Sequence, residues 1–480
     1  MMNEPTKSMR GLTTLTRNLM LTVVALSMMV LSYGEITLAS GQQGNLSPKP
    51  EQQTVQSVVA KQAALVSEFE VNGLKVLLKK REGSLTVAAG LFLRGGAANT
   101  TAQNAGIEQL MLNASTEAST GFPRDKMRSE LSRMGTTIGT GSNYDYSVLA
   151  LACTRLHFDR SWQIFADVIM RPSFTTEDVA LDRDRMVVSL SDDVDSPDVY
   201  LQRLQDNVAY AGHPYVNSNG TPEVIAKLTP DDLRRYHDKM METSRLLLVI
   251  VGDLNVADVR DLVGGTVGKL PRGTFKPNAI PSLTFDRSSV SVTPRDLPTN
   301  YIQGLFTAPS LTSPDIYPMR VASSLLRDRV FEEVRVKRNL SYAPDAFLRT
   351  QAANVGGLYV TAVDANQSIR LMLNEIARLQ HEAVSNDDIQ AVVAQYLTTY
   401  YLGQETNAAQ AAELAQYELI GGGWRNSVDF LEKLTAVTPA EVQRVSQKYM
   451  RNIRFVVLGN PRSVDSQIFT GQAAAAGVGR

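Results

Sequence analysis

The chain is short of cysteine and histidine, and it carries no charge excess. One cysteine, Cys153, stands among 480 residues, which excludes an internal disulfide. It lies in the alternating run YSVLALACTRL and is expected to be a buried strand residue rather than a nucleophile. The four histidines are His157, His213, His237 and His381. No two have the spacing of a helical or hairpin metal pair, and surface or loop positions are expected for all four. Lys plus Arg number 48 against 49 Asp plus Glu, a net charge of −1. Neither nucleic acid nor bulk electrostatic attraction to a membrane is suggested by that balance. No Ser-His-Asp, CxxC or dinucleotide signature rises above chance. The run GGGW at 421–424 imitates a phosphate loop, but no strand leads into it and no Lys-Ser/Thr follows. It reads as a flexible connection between helices.

What is present is apolar mass and pattern. A hydrophobic fraction of 43% is enough for large cores, over a length of about three average domains. Residues 1–39 read as a targeting segment. Lys7, Arg10 and Arg17 supply positive charge, and Leu19 to Leu31 form an apolar core too short for an ordinary spanning helix. Thr37-Leu38-Ala39 offers small residues for cleavage after Ala39, and no cysteine follows to take a lipid. Export to a bacterial periplasm is the expectation, with an uncleaved membrane anchor as the alternative. Residues 40–64 are rich in Gln, Ser and Pro at first and read as a flexible linker.

The remainder looks like one unit written twice. LTPDDLRRYHDKMMETSRLLLVIVGDLN stands late in the first half, and VTPAEVQRVSQKYMRNIRFVVLGNPR late in the second. Each opens with Thr, then Pro at the first helical position, then an acid three residues after the Thr. Thr438/Glu441 reads as a capping box and Thr229/Asp232 as its shorter analogue. Each helix is followed by an aliphatic strand ending in Gly. A second pair of segments places capped helices at Thr175 and Ser385. The offsets are 438 − 229 = 209 and 385 − 175 = 210, nearly one value, which points to duplication. The strands TVAAGLFLRGG and NYIQGLFTAPS form a third pair. The fold class expected is α+β: two homologous halves, each a mostly antiparallel sheet with helices packed on one face. The first half spans 65–270, a Pro- and Gly-rich linker 271–287, the second half 288–462, and a flexible tail 463–480.

Within the first half, a strand-like run (Thr86 to Gly96) and a polar turn lead to NAGIEQLMLN at 104–113. Ile107, Leu110, Met111 and Ala114 make the apolar stripe of an amphipathic helix. Glu108, Gln109 and Asn113 are its polar set, and Gln109 and Asn113, four apart, point the same way.

That order resembles the active-site helix of the pitrilysin-type, inverted-zincin metallopeptidases, a family that includes the mitochondrial processing peptidases. Their helix begins N-A-G-I-x-H-x-x-E-H, with two His holding zinc and the Glu acting as general base. The resemblance puts the first His on Gln109, the Glu on Leu112 and the second His on Asn113. An amide is a poor zinc ligand, and Leu112 takes no proton from water. The third ligand position falls on Asp184 in LDRDRMVVSLSDD. Asp182, Arg183, Asp184 and Arg185 are expected to form a solvated helix face. No catalytic residue, metal ligand or cofactor is therefore expected in this chain. GHPYVNSNGTPEVIAKLTPDDL matches a further family stretch, and the resemblance runs from about Ser67 to Pro461.

In the second half the corresponding functional residues remain. RVFEEVRVKRNLSYAP (329–344) matches R-L-F-x-E-V-R-E-K-R-G-L-A-Y, and the family's substrate-holding Arg and Tyr fall on Arg335 and Tyr342. A guanidinium and a phenol both donate to a peptide carbonyl or to the oxyanion forming on it. Asn339 replaces a Gly and tolerates a left-handed turn, and a glycine-rich turn before the segment is absent. The resemblance implies a periplasmic pseudo-peptidase, the non-catalytic subunit of a two-subunit zinc peptidase. Its expected partner is a paralogous chain with an intact H-x-x-E-H motif and the zinc, and its expected substrate an extended peptide. A peptide-binding or structural scaffold, self-associating as a homodimer, is the alternative. An active zinc peptidase with unrecognised ligands is a third, remote reading.

Overall fold

The computed structural model of the chain describes residues 61–218 and 220–471. The expected targeting segment, all of the expected linker but its last four residues, and the tail beyond residue 471 lie outside them. Two sheets organise the fold. The first has six strands: β1 (Val66–Val71), β2 (Leu74–Lys80), β3 (Thr86–Arg94), β4 (Thr137–Ser142), β5 (Tyr146–Thr154) and β6 (Leu246–Gly252). Their spatial order is β1-β2-β6-β3-β5-β4. The second has five: β7 (Ser289–Pro294), β8 (Asn300–Thr307), β9 (Asp345–Leu348), β10 (Val355–Ala362) and β11 (Arg454–Gly459), in the order β7-β11-β8-β10-β9.

The duplication is explicit in this topology. β2 pairs with β6 in parallel, β7 pairs with β11 in parallel, and every other pairing is antiparallel. Dropping β1 leaves two sheets of identical order and direction. β6 and β11 sit centrally, so they are apolar along their length: LLLVIVG is buried at every residue and RFVVLG at all but its first. The helices that precede them start as the sequence indicates. Thr229 and Thr438 both form full capping boxes, with Asp232 and Glu441. Thr175 and Ser385 cap theirs by accepting from Asp178 N and Asp388 N.

Each half packs its own helices on one face of its sheet. In the first half Trp162, Phe165, Leu110 and Met111 meet Leu91, Leu151 and Ile250 there. The opposite face is closed by a helix from the other half. Ala411, Leu414 and Ala415 of the helix Asn407–Ile420, with Trp424, cover Leu77, Phe92, Leu247 and Val249 of the first sheet. Reciprocally, Leu201 of the helix Pro197–Ala209 covers Val456 and Leu458 of the second, and Gln205 Nε2 donates to the Arg454 carbonyl at 3.1 Å. The exchange gives each sheet two dry faces. A fully buried aliphatic or aromatic side chain contributes about 1.5–3 kcal/mol, so each half depends on the other for part of its core.

Four expectations need correction. His213 and His237 are buried, His213 within the loop expected for it and His237 on the helix Pro230–Met240. His213 Nδ1 accepts from Tyr215 N, which leaves Nε2 to donate to the Pro281 carbonyl at 2.9 Å, and His237 Nε2 lies 2.8 Å from the Ile169 carbonyl. GGGW does connect helices, yet Trp424 pins it: its ring is buried and Nε1 donates to Glu68 Oε2 at 2.8 Å. The tail is ordered through its first residues, because Ser466–Phe469 is helical and Phe469 packs edge-on against Phe455. Residues 61–64 of the expected linker are helical as well. Cys153 is buried on β5, as its alternating run implies, and burial pushes its thiol up to about 11.

Candidate functional site

The helix Ile107–Ser115 begins at Gly106, whose φ of +88° is left-handed. A Cβ there would meet Ile225 Cδ1 at 2.4 Å, so the turn that aims this helix needs glycine. Its buried polar anchor is Glu108, which accepts from Asn99 Nδ2 at 3.0 Å, from the Tyr236 hydroxyl at 2.6 Å and from the Ser147 hydroxyl. Burial raises the Glu108 carboxyl above its ordinary value, and those three donors oppose the rise. The anchor ties the helix to β5 and to the helix Pro230–Met240.

On the half-exposed side of the helix, Gln109 Nε2 donates to Asn113 Oδ1 at 2.6 Å. Thr140 Oγ1 on β4 donates to the same oxygen at 2.6 Å and lies 3.3 Å from Gln109 Nε2. The two positions expected at a metal are thus joined in a closed amide–hydroxyl triangle. Leu112 is fully buried in the first core. Asp184 stands apart from them: it is 73% exposed and, among the described residues, pairs with its neighbour Arg183 alone, at 3.6 Å. Among the described residues no three His, Cys, Asp or Glu side chains converge on a metal position. Zinc does not fit this donor set: Asn113 Oδ1 is committed to two hydrogen bonds, Leu112 offers no donor, and side-chain amides are weak ligands for zinc.

The neighbouring helix face is less solvated than its sequence implies. Asp184 and Arg185 are exposed, but Asp182 is buried, with Oδ1 3.1 Å from Arg185 and Oδ2 unpartnered. Burial and the nearby Glu117 raise the Asp182 carboxyl. Glu117 also takes Arg124, Arg128 and Arg185. This is an ion cluster that fastens the helix Thr176–Asp192 beside the helix Ile107–Ser115.

The second-half pair is brought together. The helix Ile316–Val330 continues into a π-helical turn, Phe331–Val336, in which Lys337 N donates to the Glu332 carbonyl five residues back. Such widened turns recur at functional sites because they re-aim a side chain. Asn339 ends the segment at φ +50°, left-handed as its residue type allows. Arg335 is sandwiched: its guanidinium carbon lies 4.1 Å from the Tyr342 ring centroid and 4.9 Å from that of Phe331. Tyr342 is 70% exposed. Glu333, the acid nearest in sequence, is taken by Lys337 at 2.6 Å and by Arg338. Among the described residues, Arg335 has no carboxylate partner, so its N–H edge is free toward solvent. Phe331 was not singled out by sequence reasoning, although its place four residues before Arg335 is the signal for a stacked pair on one helix face.

A buried polar network joins the halves beside these elements. Arg349 Nη1 lies 3.4 Å from Asp206 Oδ1 and donates to the Tyr210 hydroxyl at 3.1 Å, while the Tyr144 hydroxyl donates to Asp206 Oδ2 at 2.6 Å. Tyr215 donates to Asp145, which also accepts from Ala352 N at 3.1 Å.

Residues 75–222 match the family model described as insulinase, peptidase family M16, and residues 227–396 match the one described as peptidase M16 inactive domain. The chain is 22% identical over 410 residues to the mitochondrial-processing peptidase subunit beta of Blastocladiella emersonii, covering 81% of this chain and 87% of that one. It is 19% identical over 419 residues to the non-peptidase homolog YmxG of Helicobacter pylori, covering 84% and 96%. Among solved structures, the M16 inactive domain from Pseudomonas fluorescens superposes with a TM-score of 0.74 at 18% identity, covering 82% of this chain and 98% of that one. At that identity the likeness is one of fold.

Proposed function

This chain belongs to the M16 peptidase family, and from that membership we propose that it is a non-catalytic subunit that completes the peptide site of a paralogous partner. The partner carries the intact H-x-x-E-H helix and the zinc. This chain contributes Arg335 and Tyr342, and the complex works in the periplasm on an extended peptide.

One observation carries the reading: the two sites have opposite fates. The metal positions are filled by hydrogen-bonded amides and a core leucine. The Arg335–Tyr342 pair remains, with Tyr342 exposed, Arg335 half-buried and, among the described residues, no carboxylate on the guanidinium. A stacked guanidinium keeps its donor edge available and loses little freedom when it binds. β4 adds a second means of holding a peptide. Among the described residues it is an edge strand, paired with β5 alone, and its backbone groups suit an added strand. Relatives named as subunits support a partner, and one named as a non-peptidase homolog supports the loss of chemistry.

The test is peptide hydrolysis by this protein, by a co-expressed paralogue with the intact motif, and by the two together. The reading requires activity that depends on both chains. It fails if the chains form no complex and adding this one changes no rate.

A further inference from the structure

The emptied metal position keeps hydrogen-bonding capacity of a definite kind. Gln109 Nε2 donates to Asn113 Oδ1 at 2.6 Å and to Thr140 Oγ1 at 3.3 Å, and the Thr140 hydroxyl donates to Asn113 Oδ1 at 2.6 Å. Those bonds spend both N–H groups of Gln109, the O–H of Thr140 and the side-chain oxygen of Asn113. A matched pair is left over. Gln109 Oε1, an acceptor, and Asn113 Nδ2, a donor, have no partner among the described residues, and both side chains are half-exposed. A Gln–Asn pair four apart on a helix is ordinarily held by its own bond alone. Here Thr140 ties both amides to β4, so much of their rotamer freedom is lost before anything binds.

β4 sets what lies beside that pair. Backbone groups along an antiparallel strand turn alternately to its two neighbours. Asn143 N donates to the Tyr146 carbonyl, so two-residue steps from Asn143 turn Gly141, Gly139 and Thr137 toward β5. The same steps from Tyr146 leave the odd residues of β5 to β3, in agreement with Arg155 N donating to the Leu85 carbonyl. Ile138, Thr140 and Ser142 therefore turn their N–H and C=O groups to the open edge. The Thr140 side chain points to the helix Ile107–Ser115, where its hydrogen bonds lie. In an antiparallel strand added to that edge, the residue opposite Thr140 exchanges backbone hydrogen bonds with it and sends its side chain to the same face. That is the face of Gln109 and Asn113.

We propose that this position reads a side-chain carboxamide. In a peptide laid along β4 the residue opposite Thr140 is Gln or Asn, its oxygen accepting from Asn113 Nδ2 and its NH2 donating to Gln109 Oε1. The proposal rests on the peptide reading above and names a feature of that peptide. A carboxamide carries an acceptor and a donor on one carbon. A carboxylate brings no hydrogen to Gln109 Oε1, an ammonium brings no acceptor to Asn113 Nδ2, and a leucine leaves both amides unpaired.

The test is fluorescence anisotropy of the full chain, alone and with the paralogue, against labelled extended peptides. They share one Thr/Val host sequence and differ at a single central guest: Gln, Asn, Glu, Lys or Leu. The Gln and Asn guests are expected to bind about 5- to 10-fold tighter than Leu, and tighter than Glu and Lys. Asn113→Asp keeps an oxygen for Gln109 and Thr140 but puts an acceptor where the donor was, and it is expected to abolish the carboxamide preference in favour of the Lys guest. The readout is the ratio of guest affinities within one protein, which a general loss of binding or stability does not imitate. Equal binding of all guests by the unaltered chain, or a Gln preference that survives Asn113→Asp, overturns the proposal and leaves the peptide reading standing. If no guest binds, with or without the paralogue, both are overturned.

Discussion

The guanidinium carbon of Arg335 lies over the ring of Tyr342, 4.1 Å from its centroid, at the end of a π-helical turn that Asn339 closes with a left-handed residue. Seven residues separate the two in sequence, and the turn folds them face to face. Stacking leaves the N–H edge of the guanidinium unspent, which is the edge a carbonyl or carboxylate needs.

Arg335→Ala and Tyr342→Ala are expected to lower peptide hydrolysis by the two-chain complex. Loss of one charge-assisted hydrogen bond corresponds to a fall of about 10- to 100-fold for Arg335→Ala. Arg335→Lys is expected to recover little, because an ammonium neither stacks nor presents a fork. The melting temperature should hold, since Tyr342 is largely exposed. Unchanged rates in both alanine variants would remove these residues from the site.

Writing the metal motif back into the helix is expected to fail. Leu112→Glu places a carboxylate where the side chain is fully buried, a destabilisation of about 3–5 kcal/mol measured by urea unfolding. The triple change Gln109→His, Leu112→Glu and Asn113→His should bind no stoichiometric zinc, because Asp184 faces solvent. Metal analysis of the purified variant decides this.

Arg349 is a largely buried cation that joins the halves, and Asp206 beside it is buried. Burial raises the Asp206 carboxyl, with Arg349 the main opposing influence. Arg349→Ala removes the compensation and is expected to destabilise the fold by about 3–5 kcal/mol. The double variant with Asp206→Asn should be less destabilised than Arg349→Ala alone. Additive losses in that cycle would deny the coupling.

Glu68 links β1 to the second half. Its carboxylate accepts from Lys75 and from Trp424 Nε1, and those hydrogen bonds, Lys75 foremost, hold it at about 2 against an ordinary 4.5. A carboxyl lowered in the folded state adds stability that is fully present above pH 4.5 and is lost as pH falls from there toward 2. Glu68→Gln should flatten that part of the stability–pH curve while leaving its neutral-pH slope alone. The group is partly exposed, so screening keeps the effect modest. Superimposable acid limbs for the two proteins would show that the link is without consequence.

Much of the architecture was written in short-range pattern. The offsets of about 210 residues, the capping pairs at Thr229 and Thr438, and the apolar runs that became β6 and β11 are local features. A cap or a period acts over one or two turns, so the residues that make it are visible together in the chain. The emptied metal helix was legible for the same reason, since Gln109, Leu112 and Asn113 are chemical identities at fixed spacing. Residue type also foretold the left-handed turn at Asn339.

Tertiary structure alone decided what those elements meet. Nothing in the helix Pro197–Ala209 announces that it covers the other half's sheet, or that Asn407–Ile420 returns the exchange. Asp182, His213 and His237 look like surface residues in sequence, and their burial was set by partners up to 68 residues away. Arg349 and Asp206, 143 residues apart, became a pair only because two duplicated sheets close on one another. Local pattern specifies which elements form, because hydrogen bonding and periodicity act between near neighbours. The choice of which faces touch rests on burial summed over the whole chain, and that sum exists only in the folded molecule.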